Sequence, residues 1–218
     1  MRKQYVIYGD SPFAERIYSY IRQEDKIEMV GFTNGDSFIS RDTIQGKRVI
    51  PFSEFAKELK DDCELILAYG YTKMNDLREK VYLECIEAGC HIGTFISSHA
   101  MVYSKHINEG TIILPGTVVG PSSVIGRCCI LEAGCVISHD SIVGDFCYFS
   151  SGVIMGGRAA IGNHCFLGLN STIRNGIKLA DYTLIGAASN VLYSTEKNSV
   201  YVGNPSKKIA GKAVETKI

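Results

Sequence analysis

A histidine followed by an aspartate gives this sequence its clearest candidate for acid–base chemistry. His139 and Asp140 follow a short apolar run, and Gly157 comes eighteen residues after the histidine. A neutral imidazole is well suited to take up a proton near neutral pH, and a neighbouring carboxylate can fix its tautomer and raise its basicity. A glycine lets a ligand approach the backbone and offers a bare N–H to an oxyanion. His139 is therefore the candidate general base.

The other histidines and the cysteines give weaker signals. We expect His91, His99, His106 and His164 to be surface or interface residues. A zinc-dependent β-helix hydratase needs three converging histidines, two of them closely spaced, and the spacing here is wide. The eight cysteines include no C-x-x-C pair, and half of them fall at small-residue positions of the repeat described next. The sequence thus predicts neither a metal site nor a disulfide.

A six-residue repeat fixes where the candidate residues lie. Every sixth residue from Ile107 to Val191 is apolar, fifteen positions without an insertion. The position four residues later is almost always small, Ile177 being the one bulky member, and glycine often follows the apolar residue. This pattern is typical of a parallel β-helix with three six-residue faces in each coil. Residues eighteen apart then stack one strand spacing apart, which brings Gly157 next to His139.

Each coil of such a β-helix forms a triangular prism, and the apolar and small positions of the repeat point into it. The residue between them in the strand points outward, and here it too is apolar. The outward column consists of Ile112, Val118, Val124, Ile130, Val136, Ile142, Tyr148, Ile154, Ala160 and Phe166. A continuous apolar surface marks an interface. We therefore expect prism faces to pack against other protomers, most simply in a homotrimer with clefts between neighbours.

The first 95 residues follow a different pattern. Short apolar strands end at Gly9, at the turn 33–36 and at Gly70, and helical stretches such as 52–59 and 76–88 alternate with them. This alternation predicts a small parallel α/β sheet of half-Rossmann type. We expect the chain to divide into this α/β domain (1–95), a β-helix (96–195) and a C-terminal capping tail (196–218).

The first turn of the α/β domain is a weak candidate for a phosphate site. It lies where a Rossmann loop would bind phosphate at a helix N-terminus, but after Gly9 it lacks the second and third glycines of that motif. Ser11 can simply cap the following helix.

Composition restricts the partners. Lys and Arg together number 23, and so do Asp and Glu, so no net field attracts nucleic acid or an anionic membrane. No segment has the length and apolarity of a membrane span, and the first residues begin a strand and do not form a signal peptide. We expect a cytoplasmic protein that binds no nucleic acid.

Several motifs joined to this α/β domain resemble a known family. They are Ile137-Ser138-His139-Asp140, Gly144-Asp145-Phe146, the run IGNHCFLG at 161–168 and the closing run VGNPSK at 202–207. With them the sequence resembles the left-handed β-helix sugar acetyltransferases, above all the bacterial nucleotide-amino-sugar N-acetyltransferases and the related sialic acid O-acetyltransferases. The resemblance implies a left-handed trimer, acetyl-CoA as donor and active sites between protomers.

The resemblance also implies roles for single residues. His139 would be the general base, Asp140 the carboxylate that raises its basicity and Gly157 the donor of an N–H to the oxyanion. The residues implied for CoA are Tyr148, Leu169, Ala187, Asn204 and Pro205. Those implied for the nucleotide sugar are Ser11, Asn34 and Gly70. The chain departs from the family in two places: Tyr148 replaces a histidine of some members, and the loops 9–12 and 33–36 lack the usual glycines and acidic pair.

The predicted function is transfer of an acetyl group from acetyl-CoA to an amino sugar, linked to a nucleotide, in the synthesis of bacterial surface glycans. One alternative is O-acetylation of a sugar hydroxyl, which depends more heavily on the base because a hydroxyl stays protonated near neutral pH. A second is a non-catalytic trimeric scaffold, which predicts no binding of CoA. The departures in the first domain leave the nucleotide part of the acceptor open.

Overall fold

The N-terminal part is a parallel sheet with helices. The computed structural model describes residues 3–58 and 62–216. Its first strands are β1 (Lys3–Tyr8), β2 (Ile27–Asn34), β3 (Thr43–Ile44), β4 (Lys47–Pro51), β5 (Glu64–Leu67) and β6 (His91–Ile92). They form one sheet in the order β3-β4-β2-β1-β5-β6, in which all pairs are parallel except β3 with β4. The order of the parallel strands is that of a Rossmann sheet, which confirms the predicted fold class.

The helices of this part are α1 (Pro12–Ile21), α2 (Phe52–Glu58) and α3 (Asp76–Glu87). Ser11 caps α1, and its Oγ accepts the Ala14 N–H at 3.5 Å. Leu59 of the predicted stretch 52–59 lies outside the described residues, as do residues 1–2 and 217–218. Two 3-10 turns, Asp36–Phe38 and Ala213–Glu215, complete the helical elements. None of the helices described between residues 3 and 216 has the length and apolar character to cross a bilayer.

The rest of the chain forms a prism with three faces of two-residue strands. The first face contains β7 (Phe95–Ile96), β10 (Ile112–Ile113), β13 (Ile130–Leu131), β16 (Tyr148–Phe149), β19 (Phe166–Leu167) and β22 (Leu184–Ile185), and it ends with β24 (Ser199–Val202) and the antiparallel β25 (Lys207–Lys212). The second contains β8 (Met101–Val102), β11 (Val118–Val119), β14 (Val136–Ile137), β17 (Ile154–Met155), β20 (Thr172–Ile173) and β23 (Asn190–Val191). The third contains β9 (His106–Ile107), β12 (Val124–Ile125), β15 (Ile142–Val143), β18 (Ala160–Ile161) and β21 (Lys178–Leu179).

The predicted period of eighteen residues is confirmed. Ile112 pairs with Ile130 and Ile130 with Tyr148, each in parallel. The prism begins at Phe95, two strands before the uninterrupted apolar column, which starts only at Ile107 because the step from Val102 to Ile107 is one residue short.

The small column of the repeat is buried and forms a hydrogen-bond ladder. Thr111 Oγ1 donates to the Gly126 carbonyl at 2.7 Å, and Cys147 Sγ donates to the Gly162 carbonyl at 3.0 Å, each fifteen residues ahead. A small side chain with one donor therefore satisfies a corner carbonyl of the next coil. Cys135 belongs to the same column, and burial raises its pKa to about 12, so its thiol stays protonated and donates to the Ser150 carbonyl.

The side chains of the outward apolar column lie in two different environments. On the first face, it packs under the α/β domain of the same chain, in a core shared with Ile7 and Ile17: Phe95, Ile112, Ile130, Tyr148, Phe166 and Leu184 are all buried. The expectation that the whole column contacts other protomers is thus wrong for this face, because the N-terminal domain folds back over it. On the other two faces, Ile142 and Ile154 remain about half exposed.

One buried arginine joins the two parts. Arg78 of α3 is completely buried, and its guanidinium donates to Tyr69 and Gly70 in the α/β domain and to Cys128, Phe146 and Cys147 in the β-helix, at 2.6–3.2 Å. Burial lowers the pKa of this guanidinium, yet arginine keeps its charge in proteins. The carbonyl dipoles therefore solvate the cation in place of water.

Replacing this arginine should weaken the junction of the domains. We expect Arg78→Met to lower the free energy of unfolding by about 3–5 kcal/mol, because several buried carbonyls lose their donor. Urea denaturation followed by circular dichroism measures the loss. Arg48→Met is the matched control: Arg48 is largely exposed and lies 3.8 Å from Glu54, so its loss should stay below about 1 kcal/mol. Equal losses in the two variants would contradict this role for Arg78.

Candidate active site

His139 and Gly157 lie at the same corner of the prism, one coil apart. His139 follows β14 and Gly157 follows β17, both on the way from the second face to the third. The Arg158 N–H donates to the His139 carbonyl at 3.0 Å, which holds the two corners in register. A Cβ atom built on Gly157 would lie 2.8 Å from His139 Nε2. The imidazole therefore lies directly against the glycine backbone.

Asp140 orients the imidazole. Its Oδ2 lies 2.7 Å from His139 Nδ1, and both side chains are about half exposed. Asp140 has a φ of +56°, a left-handed turn conformation that aspartate tolerates better than most residues. Because an ionised carboxylate can only accept, Nδ1 carries the proton and Nε2 is left as an acceptor. That is the tautomer a general base needs.

The backbone of Gly157 presents a donor next to this acceptor. Its carbonyl accepts the Gly176 N–H at 3.1 Å, whereas its own N–H has no hydrogen-bond partner among residues 3–58 and 62–216. An unpaired N–H beside an imidazole nitrogen can stabilise a negative oxygen that develops near the base. The corner thus places a candidate proton acceptor next to an N–H donor that is unpaired within the described residues.

The residues implied for CoA gather at a different corner. Leu169 follows β19 and Ala187 follows β22, between the first and second faces. They line a cavity of about 460 Å³ together with Tyr148, which is buried and contacts Phe13 of the α/β domain. Asn204 and Pro205 are exposed and outside this lining. Asn204 is tied to the same corner by a 3.3 Å hydrogen bond from Asn190 of β23.

Sequence reasoning missed a buried carboxylate in this cavity. Glu132 is 3% exposed and accepts two hydrogen bonds from Arg16 of α1, at 2.6 and 3.1 Å. The Tyr148 hydroxyl donates to the same carboxylate at 2.5 Å. Burial and the Glu132 charge raise the pKa of Tyr148, so its hydroxyl stays protonated and fixed. The available signal was a glutamate directly after the apolar position, where the repeat often has glycine.

A second cavity, of about 650 Å³, lies in the α/β domain. Ser11 and Asn34 line it, whereas Gly70 lies outside the lining and its carbonyl accepts from Arg78. Asn34 is held from both ends: it donates to Asp10 at 2.8 Å and accepts from the Tyr69 hydroxyl at 2.6 Å. Burial raises the pKa of Tyr69 to about 12, which keeps that donor protonated.

His164 departs from the expectation of a surface or interface residue. Its ring is 6% exposed and stacks between Phe146 and Tyr182, with ring centroids 5.3 and 4.6 Å away. The reason is again the α/β domain, whose helix α3 covers this part of the prism with Asp76 and Glu79.

Comparisons with solved structures agree on the architecture. No family model matches the chain. The acetyltransferase domain of PglB from Neisseria gonorrhoeae FA1090 superposes with a TM-score of 0.84 over 95% of this chain and 100% of that one, at 16% identity. The chain has the fold of the left-handed β-helix acetyltransferases.

Two further structures superpose as well. A variant of GDP-perosamine N-acetyltransferase from Caulobacter crescentus, in complex with CoA and GDP-perosamine, gives a TM-score of 0.85 over 95% of this chain and 97% of that one, at 21% identity. WeeI from Acinetobacter baumannii AYE gives 0.83 over 95% and 100%, at 20% identity. The likeness thus includes the α/β domain as well as the prism.

Removing the charge of Glu132 should loosen the cavity. We expect Glu132→Gln to lower the free energy of unfolding by about 1–3 kcal/mol, because Arg16 and the buried Tyr148 lose a charged acceptor. Glu15→Gln, on the helix that carries Arg16, is the control: Glu15 pairs with Arg41 at 2.7 Å but is about one-third exposed, so we expect less than about 1 kcal/mol. Urea denaturation compares the two, and a loss no larger than the control's would refute the role given to Glu132.

Proposed function

We propose that this protein transfers the acetyl group of acetyl-CoA to the amino group of a nucleotide-linked sugar, in the synthesis of bacterial surface glycans. The observation that carries the proposal is the corner at which His139 Nε2 faces the Gly157 backbone while Nδ1 bonds Asp140. Acetyl transfer to an amine needs a proton acceptor and a stabilised oxyanion at one place.

The structural neighbours support the same chemistry. The PglB acetyltransferase domain was solved with acetyl coenzyme A, and the perosamine enzyme with CoA and GDP-perosamine. Both superpose over about 95% of this chain, so the donor and acceptor classes named there are the first to test here.

In the proposed reaction the neutral amine attacks the thioester carbonyl and forms the new C–N bond. His139 Nε2 removes a proton from the attacking nitrogen, while Asp140 stabilises the resulting imidazolium through Nδ1. The Gly157 N–H donates to the carbonyl oxygen as it becomes an oxyanion. The C–S bond then breaks, and the departing sulfur takes up the proton, so the products are the amide and free CoA.

The proposed assembly is a homotrimer. His139 and the Leu169–Ala187 group occupy different corners of one prism, so a second protomer has to bring its cavity next to the catalytic corner. The exposed Ile142 and Ile154 give the second and third faces an apolar contact surface. CoA would then lie between protomers, along Leu169 and Ala187 toward Asn204 and Pro205.

We place the nucleotide part of the acceptor in the α/β domain. The cavity of about 650 Å³ contains Ser11 and Asn34, and Gly70 lies just outside its lining. The three proposed parts, 1–95, 96–195 and 196–218, then have separate tasks: acceptor binding, catalysis with CoA binding, and closing of the prism. A cytoplasmic location fits a donor such as acetyl-CoA.

Loss of the base tests the proposal. We expect His139→Ala to lower kcat by about 10²–10⁴-fold with acetyl-CoA and a panel of nucleotide-linked amino sugars, measured as CoA release. His106→Ala, at an exposed histidine of the first coil, should retain wild-type turnover. Near-normal turnover in His139→Ala would exclude the assignment, and transfer to hydroxy sugars alone would favour O-acetylation.

A second variant tests the geometry of the His139–Gly157 corner while leaving the fold intact. Gly157→Ala places a methyl group against the His139 ring, which can swing outwards because it is half exposed. We expect kcat to fall while the melting temperature, and its rise with saturating CoA, remain near those of the wild type. If CoA raises the melting temperature of neither the wild type nor the variants, the chain acts as a scaffold.

A further inference from the structure

His164 is held rigidly between the prism and helix α3. Phe146 and Tyr182 lie eighteen residues on either side of it, so the three rings form one stack along the prism. The interplanar angle between His164 and Tyr182 is 2°. Such a stack leaves only the edge of the imidazole available, and this edge faces α3.

Two carboxylates of α3 meet that edge. His164 Nδ1 lies 3.3 Å from Asp76 Oδ1, and Nε2 lies 3.4 Å from Glu79 Oε2. Nδ1 is buried and has no hydrogen-bond partner in the part of the chain that the structure describes. A buried nitrogen without a partner is costly, so this atom points to a ligand.

The helix that carries the carboxylates is fixed to the same coil. Asn75 precedes α3, and its Nδ2 donates to the carbonyl of Cys165, the residue after His164, at 3.3 Å. Arg78 lies between Asp76 and Glu79 in the sequence, and its guanidinium donates to carbonyls of the prism. Asp76 and Glu79 are three residues apart and therefore on one side of the helix. The contacts of Asn75 and Arg78 therefore hold α3, and with it the two acids, next to His164.

We propose that Asp76, Glu79 and His164 form a binding site for a divalent transition-metal ion of the Zn²⁺ class. One ligand atom from each residue lies within 4.8 Å of the other two. In a tetrahedral zinc site with bonds near 2.1 Å, neighbouring ligand atoms are about 3.4 Å apart. An imidazole binds an ion through one nitrogen; for the unpartnered Nδ1 of His164, the 3.3 Å distance to Asp76 Oδ1 matches this spacing. Both carboxylates are about half exposed and can rotate to complete the site.

The chemistry of the ligands selects the class of ion. Imidazole nitrogen suits zinc and its neighbours, whereas Mg²⁺ and Ca²⁺ prefer oxygen ligands alone. A divalent cation would neutralise the two carboxylates and link α3 to the prism. This site is separate from the His139 corner, so the inference does not depend on the proposed acetyl transfer.

The ion itself is the probe. We expect the metal-free wild type to bind one equivalent of Zn²⁺ in isothermal titration calorimetry, to show a higher melting temperature with Zn²⁺ than with EDTA, and to respond much less to Mg²⁺. Asp76→Asn and Glu79→Gln should each weaken Zn²⁺ binding by more than about tenfold. Asp76→Asn keeps an oxygen that can accept the Tyr182 hydroxyl, so its fold should persist.

Glu87→Gln and His106→Asn are the matched controls. Glu87 is exposed at the end of the same helix, and His106 is exposed on the prism, so both variants should bind Zn²⁺ as the wild type does. Unchanged affinity in Asp76→Asn and Glu79→Gln would overturn the site, as would a wild type that binds no Zn²⁺. In the latter case the cluster is only a contact between the imidazole and two carboxylates.

Discussion

The solvation of one cation by backbone carbonyls holds this molecule together. Arg78 exposes no surface, and it makes its hydrogen bonds on both sides of the boundary between the α/β domain and the β-helix. A buried guanidinium is tolerated only when its donors are satisfied, so the domains have to meet in one relative position. That position decides which prism face is covered, where Tyr148 lies and which residues face His164.

Because the α/β domain covers only the first face, the two candidate sites at the corners of the prism are built in different ways. At the corner of the second and third faces, the repeat alone builds an arrangement of imidazole, carboxylate and free N–H. At the corner of the first and second faces, the α/β domain adds Arg16 to the prism residues Glu132 and Tyr148 and so closes a cavity. One corner is determined by local stacking and the other by contacts between domains.

This difference explains how far the sequence could be interpreted. The period of six predicts the prism, and the period of eighteen predicts that Gly157 lies against His139, because both follow from local strand geometry. The burial of His164 and the pairing of Glu132 with Arg16 depend on helices more than eighty residues away in the chain. No spacing within the repeat encodes which of the three faces the first domain covers. Gly70 was implied for the nucleotide sugar by the family resemblance, yet its carbonyl accepts a hydrogen bond from Arg78.

The ladder inside the prism also constrains how such a protein can change in length. From Thr111 to Cys165, each hydroxyl or thiol in the small column donates to a carbonyl fifteen residues ahead, so each of these coils is bonded to the next in the same way. One inserted residue would turn later inward side chains outwards, whereas a whole added coil preserves both the alternation and the ladder. Tyr182 still bonds Asp76 of α3, so whole coils of eighteen residues could be added beyond it while the hydrogen bonds between α3 and the prism stay unchanged.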